Sequence, residues 1–342
     1  MKREAVKSSP SKSLQSALKS DEPGSLGYRL RLLKRKYVSF SGLKLILVRV
    51  VMYVLIIGLA FVFLYPFLYM VTTSLMTNSD LNSSSVQWIP TEFKFENYSI
   101  ALQLIKNWVY ARNSLIVTTI ATVGHVLSCS FIGYGFARYN FPGKNILFAV
   151  VILAFIVPTQ TIIIPLYLTY SNLQWLNTYL PLLIPTFFGF GLRGALFIFL
   201  FRQFFLTVPR SLEEAAKIDG CGFLMTFWRI VFPLAKATIV VAIVLSVVWH
   251  WNEYYESSIY ITSASLSFLP PRLNAIISAA SGLPDEQQEM LRLLGLEDGE
   301  DTLNNAVVMA GAVVISSPVL IFFAFAQSQF MEGIERSGIT GE

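Results

Sequence analysis

The sequence predicts an all-α membrane protein, a bundle of six spanning helices, on three observations. Charged residues make up 14% of the 342 positions, against roughly 25% in ordinary soluble domains, which is too few to clothe a surface in water. Apolar residues reach 54% with a mean hydropathy of +0.57, gathered in runs of about 20, the length of helix that crosses ~30 Å of hydrocarbon. The basic residues are sorted by loop, and that sorting orients the bundle. Cys129 and Cys221 are too few for a disulfide framework or a Cys-rich metal site and are read as free thiols. The net charge of +5 is accordingly a matter of topology, with no nucleic-acid partner expected.

Residues 1–40 read as a basic, disordered tail. The first 49 positions hold 12 of the 26 Lys and Arg with only three acids, Glu4, Asp21 and Glu22, and the first 25 are Ser- and Lys-rich without any period. No cleaved leader is expected, because the first apolar run begins only after the tail and outlasts the 7–15 residues of a signal core. A membrane domain over 41–330 follows, with spans near 50–74, 114–136, 145–166, 179–201, 234–256 and 304–326, and residues 331–342 form a short tail. Pro158, Pro165, Pro181 and Pro185 predict kinks in the third and fourth spans, tolerated where neighbouring helices re-satisfy the freed backbone.

With the N-terminus inside, 20 Lys and Arg fall on inner segments and five (Lys94, Lys106, Arg112, Arg272 and Arg292) on outer ones, leaving Arg193 inside the fourth span. Both termini are therefore expected in the cytoplasm. The outer loop over 257–303 ends acidic, with Asp285, Glu286, Glu289, Glu297, Asp298, Glu300 and Asp301, and reads either as a solvated face or as a docking surface for an external partner. No repeat of solenoid period is visible.

The inner loop over 206–233 is the most informative stretch. In Pro209-Arg-Ser-Leu-Glu-Glu-Ala-Ala-Lys-Ile-Asp-Gly220, Ser211 followed three positions later by Glu214 predicts a capping box that starts a helix. Ala215 and Ala216 favour the helix, Lys217 suits its last turn, and Gly220 can take the left-handed conformation that ends it after about two turns. A second helical stretch over 223–230 places Phe223, Phe227 and Ile230 at i, i+4 and i+7 before Pro233, which is expected to open the fifth span. By local features alone this elbow is equally a surface-lying amphipathic pair that merely joins two spans.

The spacing Glu214-Ala215-Ala216, Gly220, Ile230 and Phe232-Pro233 resembles the EAA loop of the membrane subunits of ATP-binding-cassette importers. The departure is Phe232, where the family has Leu. Ala216-Lys-Ile-Asp219-Gly220 and Phe227-Trp-Arg-Ile230-Val-Phe-Pro233 are similar to the carbohydrate permeases of the maltose-type G subunit. So are Phe95-Glu-Asn-Tyr98, Asn113-Ser114, Arg202-Gln-Phe-Phe205, Trp251-Asn-Glu253 and Gln329-Phe-Met-Glu-Gly333, and the likeness covers nearly all of the chain after residue 40.

The resemblance implies a six-helix permease of a bacterial or archaeal inner membrane, half of a pore completed by a homologous permease. The other implied partners are two cytoplasmic ATPase subunits, an extracytoplasmic solute-binding protein and a sugar. The short helix would be the coupling helix, with Glu213, Glu214, Ala215, Ala216, Asp219, Gly220, Ile230 and Pro233 as coupling residues, small enough for close approach and acidic enough to meet basic groups on the ATPase. ATP-driven closure would then reorient the spans as rigid bodies.

The chain itself is read as no enzyme, with no cofactor of its own; ATP and Mg would be bound by the partner ATPase. The nearest phosphate-loop candidate, Gly143-Lys144-Asn145, has Arg138 where the first Gly belongs and Asn145 in place of Ser or Thr. His125 has no second ligand at helical spacing, which argues against a metal. Around His250, the run Trp249-His-Trp251-Asn252-Glu253-Tyr-Tyr-Glu256 offers rings, an amide and carboxylates, the groups that hold sugars, although an interfacial aromatic belt has the same composition. Trp251, Asn252 and Glu253 are thus candidates for the substrate path. Arg193, between glycines, is costly unless paired or wet; it reads as a buried ion pair, for instance with Glu253, or as a substrate-facing cation.

Three other classes compete. An importer of a polyamine or phosphate would share the mechanism. An ion-coupled secondary transporter would carry inverted repeats and intramembrane carboxylates, neither of which stands out. A membrane-embedded enzyme would need a His–acid cluster or an activated nucleophile.

Overall fold

The computed structural model describes residues 40–336 apart from 84, 86, 87, 106, 192 and 282–303. The expected tail over 1–39, the acidic run of the outer loop and residues 337–342 lie outside the described residues.

The chain divides at Tyr69 into two units. The first is represented by most of α1 (Phe40–Ser74), whose 35 residues measure ~52 Å at 1.5 Å each, more than a bilayer core requires. Its apolar side chains are exposed along nearly the whole length, from Leu47 to Tyr69. That is the surface a helix shows to lipid.

The second unit begins with the last turn of α1 and, among the described residues, runs on through the helices α2 (Asn78–Asn82), α3 (Glu96–Leu104), α4 (Asn107–Arg138), α5 (Lys144–Ile156), α6 (Thr159–Asn172), α7 (Leu180–Leu183), α8 (Gly194–Thr207), α9 (Arg210–Ile218), α10 (Phe223–Leu234), α11 (Lys236–Trp251), α12 (Tyr255–Tyr260), α13 (Leu269–Ser281) and α14 (Asn305–Arg336). No strand occurs among the described residues.

The 32-residue α4 is the axis of this unit: α8, α11 and the 3₁₀ turn Ile184–Phe188 pack against it, and α14 packs on α11, α3 and α13. Lipid supplies little hydrophobic drive between helices, so close packing and interhelical hydrogen bonds hold them together. Ser246 donates to Thr122 across α11 and α4 at 3.0 Å. At Gly333 the α14 backbone comes so near α11 that an added Cβ would sit 2.7 Å from Val241 and 2.8 Å from the Ala237 carbonyl.

Several motifs that carried the family resemblance hold the connections. Asn97, fully buried, donates both amide hydrogens to the orphan carbonyls of Ser74 and Met76 at 3.0 Å, and the Tyr98 hydroxyl lies 2.7 Å from that of Ser74. Asn113 does the same for Ser265 and Ser267, while Ser114 accepts the Leu269 amide at 3.0 Å.

The structure corrects the expected spans. Among the described residues, three helices are long and apolar enough to cross a membrane alone, Ile46–Ser74, Trp108–Arg138 and Asn305–Gly333; the count reaches six only if three bent pairs are taken as one span each. The third expected span is α5 and α6, and the kink expected from its prolines is a bend of 102°. The cause is Pro158, which has no N–H to give and forces Val157 into an extended conformation, φ −68° and ψ 120°.

The fourth is broken more deeply. Pro181 and Pro185 each sit at the start of a short piece, the chain turns left-handed at Gly189, Gly191 and Arg193, and only then does the 14-residue α8 begin. The fifth does not open at Pro233: α10 ends with that proline in its last turn, and α11 leaves at 79° from Lys236. It stops at Trp251, short of the expected residue 256. Finally, α14 stays helical to Arg336, into the segment read as a tail.

The expected capping box is absent as well. The α9 helix starts at Arg210 on Pro209, with no side-chain cap, so Ser211 lies within the first turn; Pro209 itself stays extended at φ −60° and ψ 133°. The capping box that does form is Thr77 with Asp80 on α2. There the Thr91 hydroxyl, donating to Asp80 at 2.5 Å, is the main cause holding the carboxyl below its ordinary range, helped by amides of Thr77 and Thr91.

Candidate functional site

Two places in the second unit concentrate chemistry. The first is α9 and what it rests on. Ser211, Glu214, Ala215 and Ile218 stand at i, i+3, i+4 and i+7 and are exposed, Ile218 at 86%. Glu213 and Ala216 are turned inward. The two neighbouring acids of the motif therefore part company: Glu214 faces out while Glu213 is spent inside the chain.

The helix ends as the glycine predicted. Gly220 takes φ +80°, its amide donates to Lys217 at 3.1 Å, and the Cys221 amide reaches the Ala216 carbonyl at 2.9 Å. These are the paired bonds of a Schellman end, which leave few carbonyls orphaned. Asp219 is exposed at the last helical boundary, Ile230 is half-buried and Pro233 exposed.

Beneath α9 lies a junction that sequence reasoning missed. Arg138, the last residue of α4, places its Nε 2.6 Å from Glu213 Oε1, with both side chains nearly excluded from solvent, and its Nη2 donates to the Val208 carbonyl at the end of α8 at 2.5 Å. One turn earlier, Tyr134 donates to Glu213 Oε2 at 3.2 Å. The rings of Phe205, Phe223 and Phe227 close around Tyr134 at centroid distances of 5.3–5.7 Å. Phe227 opens a π-helical turn to Val231 within α10. No local signal could have paired residues so far apart in the chain.

The second place is a cavity of about 690 Å³ enclosed by α5, α6, α7, α8, the end of α11 and α12, and lined among others by Phe155, Gln160, Tyr170, Arg193, Glu253 and Glu256. Its volume falls within the range of small-molecule sites. Arg193 is exposed rather than buried. Its guanidinium lies 5.5 Å from the Trp249 ring and 5.7 Å from that of Phe155, and no ion pair to Glu253 forms among the described residues; Arg193 itself is left-handed, at φ 62°. Glu253 accepts the Glu256 amide at 2.7 Å.

The other two candidates stand apart from this cavity. Trp251 is buried, with its indole donating to the Ile315 carbonyl of α14 at 3.0 Å, so it fixes helix packing. Asn252 is exposed and turns its amide back to the Val248 carbonyl at 2.7 Å. At the cavity edge, His250 Nε2 meets His125 Nδ1 at 3.1 Å, and His125 Nε2 lies 3.3 Å from the Phe190 carbonyl. The sequence showed each histidine without a partner because they sit 125 positions apart on different helices.

Residues 129–331 match the family model described as the binding-protein-dependent transport system inner membrane component. The chain is 25% identical over 286 residues to the arabinooligosaccharides transport system permease protein AraQ of Halalkalibacterium halodurans, covering 83% of this chain and 93% of that one. It is 28% identical over 282 residues to the polygalacturonan/rhamnogalacturonan transport system permease protein YtcP of Bacillus subtilis, covering 82% and 94%. A crystal structure of a bacterial ABC transporter involved in the import of the acidic polysaccharide alginate superposes with a TM-score of 0.66 over 83% of this chain and 96% of that chain, at 21% identity, a likeness of fold.

Proposed function

We infer function from one premise: this chain belongs to the family of binding-protein-dependent transport system inner membrane components. It is a transport permease of an ABC importer and not an enzyme. It serves a saccharide importer, as the oligosaccharide and polysaccharide permeases among its relatives suggest. Within that system it supplies half of the pore beside a homologous permease, receives solute from an extracytoplasmic binding protein, and is driven by two ATPase subunits that hold the ATP and Mg. Both termini face the cytoplasm, by the Lys and Arg count.

The single observation that carries the mechanism is α9, a nine-residue helix with one face tied down inside the chain and the other, Ser211, Glu214, Ala215 and Ile218, left open. A small-residue helix of this kind fits a groove on another subunit, where Glu214 can meet a basic side chain. We read α9, with Gly220 as its stop and the stretch through Ile230 and Pro233 as its return, as the coupling element of the EAA loop. ATP-driven closure of the ATPase pair moves it as a rigid body, and the bundle alternates access.

For the substrate path we propose Arg193 and Glu253, which share the cavity with aromatic rings, donors and acceptors against apolar faces, the composition that suits a polyhydroxylated ring. Asn252 and Trp251 lie outside its lining, and of the four candidates only Arg193 and Glu253 are proposed for the path.

The test is transport by the assembled complex in proteoliposomes with Gly220→Val and Glu214→Lys. Solute binding to the external receptor is expected to stay unchanged, while uptake and receptor-stimulated ATP hydrolysis fall together. Wild-type uptake in both variants would remove α9 from the coupling route.

A further inference from the structure

We propose that Arg138 and Tyr134 are positioning residues that lock Glu213, so that force arriving at α9 is delivered to α4 in a fixed register. The proposal rests on the reading of α9 as the docking element and goes beyond it to the route the movement takes inside the chain.

The outward face of α9 has its load borne by the opposite face, and only Glu213 and Ala216 are buried there. An alanine contact lets a helix roll or slide by a turn. A carboxylate held by two groups from one side does not. Oε1 is gripped by Arg138 at 2.6 Å and Oε2 by Tyr134 at 3.2 Å, two residues one turn apart on α4 that project to the same side. The Arg138 Nε contact to the carboxylate lies off the N–H axis, so it is Coulombic in character, and the directional bond of this guanidinium goes to Val208. One arginine thereby ties the end of α4, the end of α8 and the middle of α9.

Burying such a pair rarely adds stability over an apolar contact of the same volume, and its attested use is to enforce a single register. The aromatic shell extends the clamp to the return segment. Tyr134 stacks on Phe223 at 5.7 Å with 14° between the planes, and Tyr139 meets the same ring edge-on at 5.1 Å. Behind the clamp, α4 packs along α8 and α11, so a displacement of α9 reaches two of the helices that border the cavity.

The experiment uses the full transporter in proteoliposomes and measures ATP hydrolysed per solute imported, for Glu213→Gln, Arg138→Met, Tyr134→Phe and the exchange Arg138→Glu with Glu213→Arg. Loss of folded protein lowers uptake and hydrolysis in proportion and leaves the ratio alone, whereas a slack clamp wastes cycles. We expect the ratio to rise about tenfold for Arg138→Met and Glu213→Gln, within the usual range of coupling effects, by less for Tyr134→Phe, and to return toward wild type in the exchange. An unchanged ratio, whether uptake is normal or falls with hydrolysis, overturns the proposal, and so does release of the ATPase subunit from Glu213→Gln. A separate Ile218→Cys crosslink to the ATPase in the otherwise wild-type complex tests the docking itself: its failure would sink that reading whatever the ratio does.

Discussion

The junction under α9 and the cavity beside α8 are built on opposite principles. At the junction the charged side chain of Glu213 is answered on both oxygens, and the rings around Tyr134 are packed edge and face. Around the cavity Arg193 leans on rings, left-handed turns interrupt the helix, and carboxylates from Glu253 and Glu256 face open volume. The contrast separates two jobs. A part that carries force needs one arrangement, and here a buried charge pair, a tyrosine hydroxyl and close-packed rings supply it. A part that handles passing solutes needs groups with unused hydrogen-bonding capacity.

Breaking the junction is expected to have the largest effect. Arg138→Met leaves Glu213 buried against one hydroxyl and is expected to cost about 3–5 kcal/mol, seen as a lowered thermal midpoint of the purified complex. Next is Gly220→Val, where a β-branched residue must hold φ +80° at a cost of roughly 1–2 kcal/mol; limited proteolysis between α9 and α10 should quicken, and transport should fall with it.

Trp251→Phe removes the bond to Ile315 and is expected to cost about 1 kcal/mol while leaving the solute preference of uptake unaltered. A changed preference would move Trp251 into the solute path. The smallest effect on stability belongs to Arg193→Gln, within roughly 0.5 kcal/mol, because its side chain is exposed. Its effect on uptake should be selective, with acidic saccharides losing more than neutral ones; equal losses would leave the cation with a packing role over Phe155 and Trp249.

The same contrast explains what could be read from the amino-acid string. The helical class and the short helix with its left-handed end were legible because hydrophobic runs and a Gly at a helix stop are local signals. The prolines announced kinks in the third and fourth spans, but the left-handed run at Gly189, Gly191 and Arg193 that breaks the fourth was hidden, since averaging hydropathy over a window smooths over single residues. The capping box at Ser211 failed for a local reason too: the helix starts two residues earlier, with Pro209 at the cap. Sequence reasoning gave Glu214 the motif role and Glu213 none of its own beyond the coupling set, and only the arrival of Arg138 from a distant helix shows what Glu213 does. Asn97 and Asn113 stood in recognisable motifs, yet their work as caps for far segments is a property of the folded chain.

The histidine contact has a consequence for where two hydrogens sit. A peptide oxygen can only accept, so the ring nitrogen of His125 that points at Phe190 must carry its hydrogen, and with one hydrogen per ring the other nitrogen of that imidazole is bare. It follows that His250 supplies the hydrogen shared between them from its own Nε2, leaving its Nδ1 bare. Each imidazole is thus fixed in a single tautomer, both Nε2–H, and nitrogen chemical shifts of labelled rings would register any rotation of α11 against α4 that parts them.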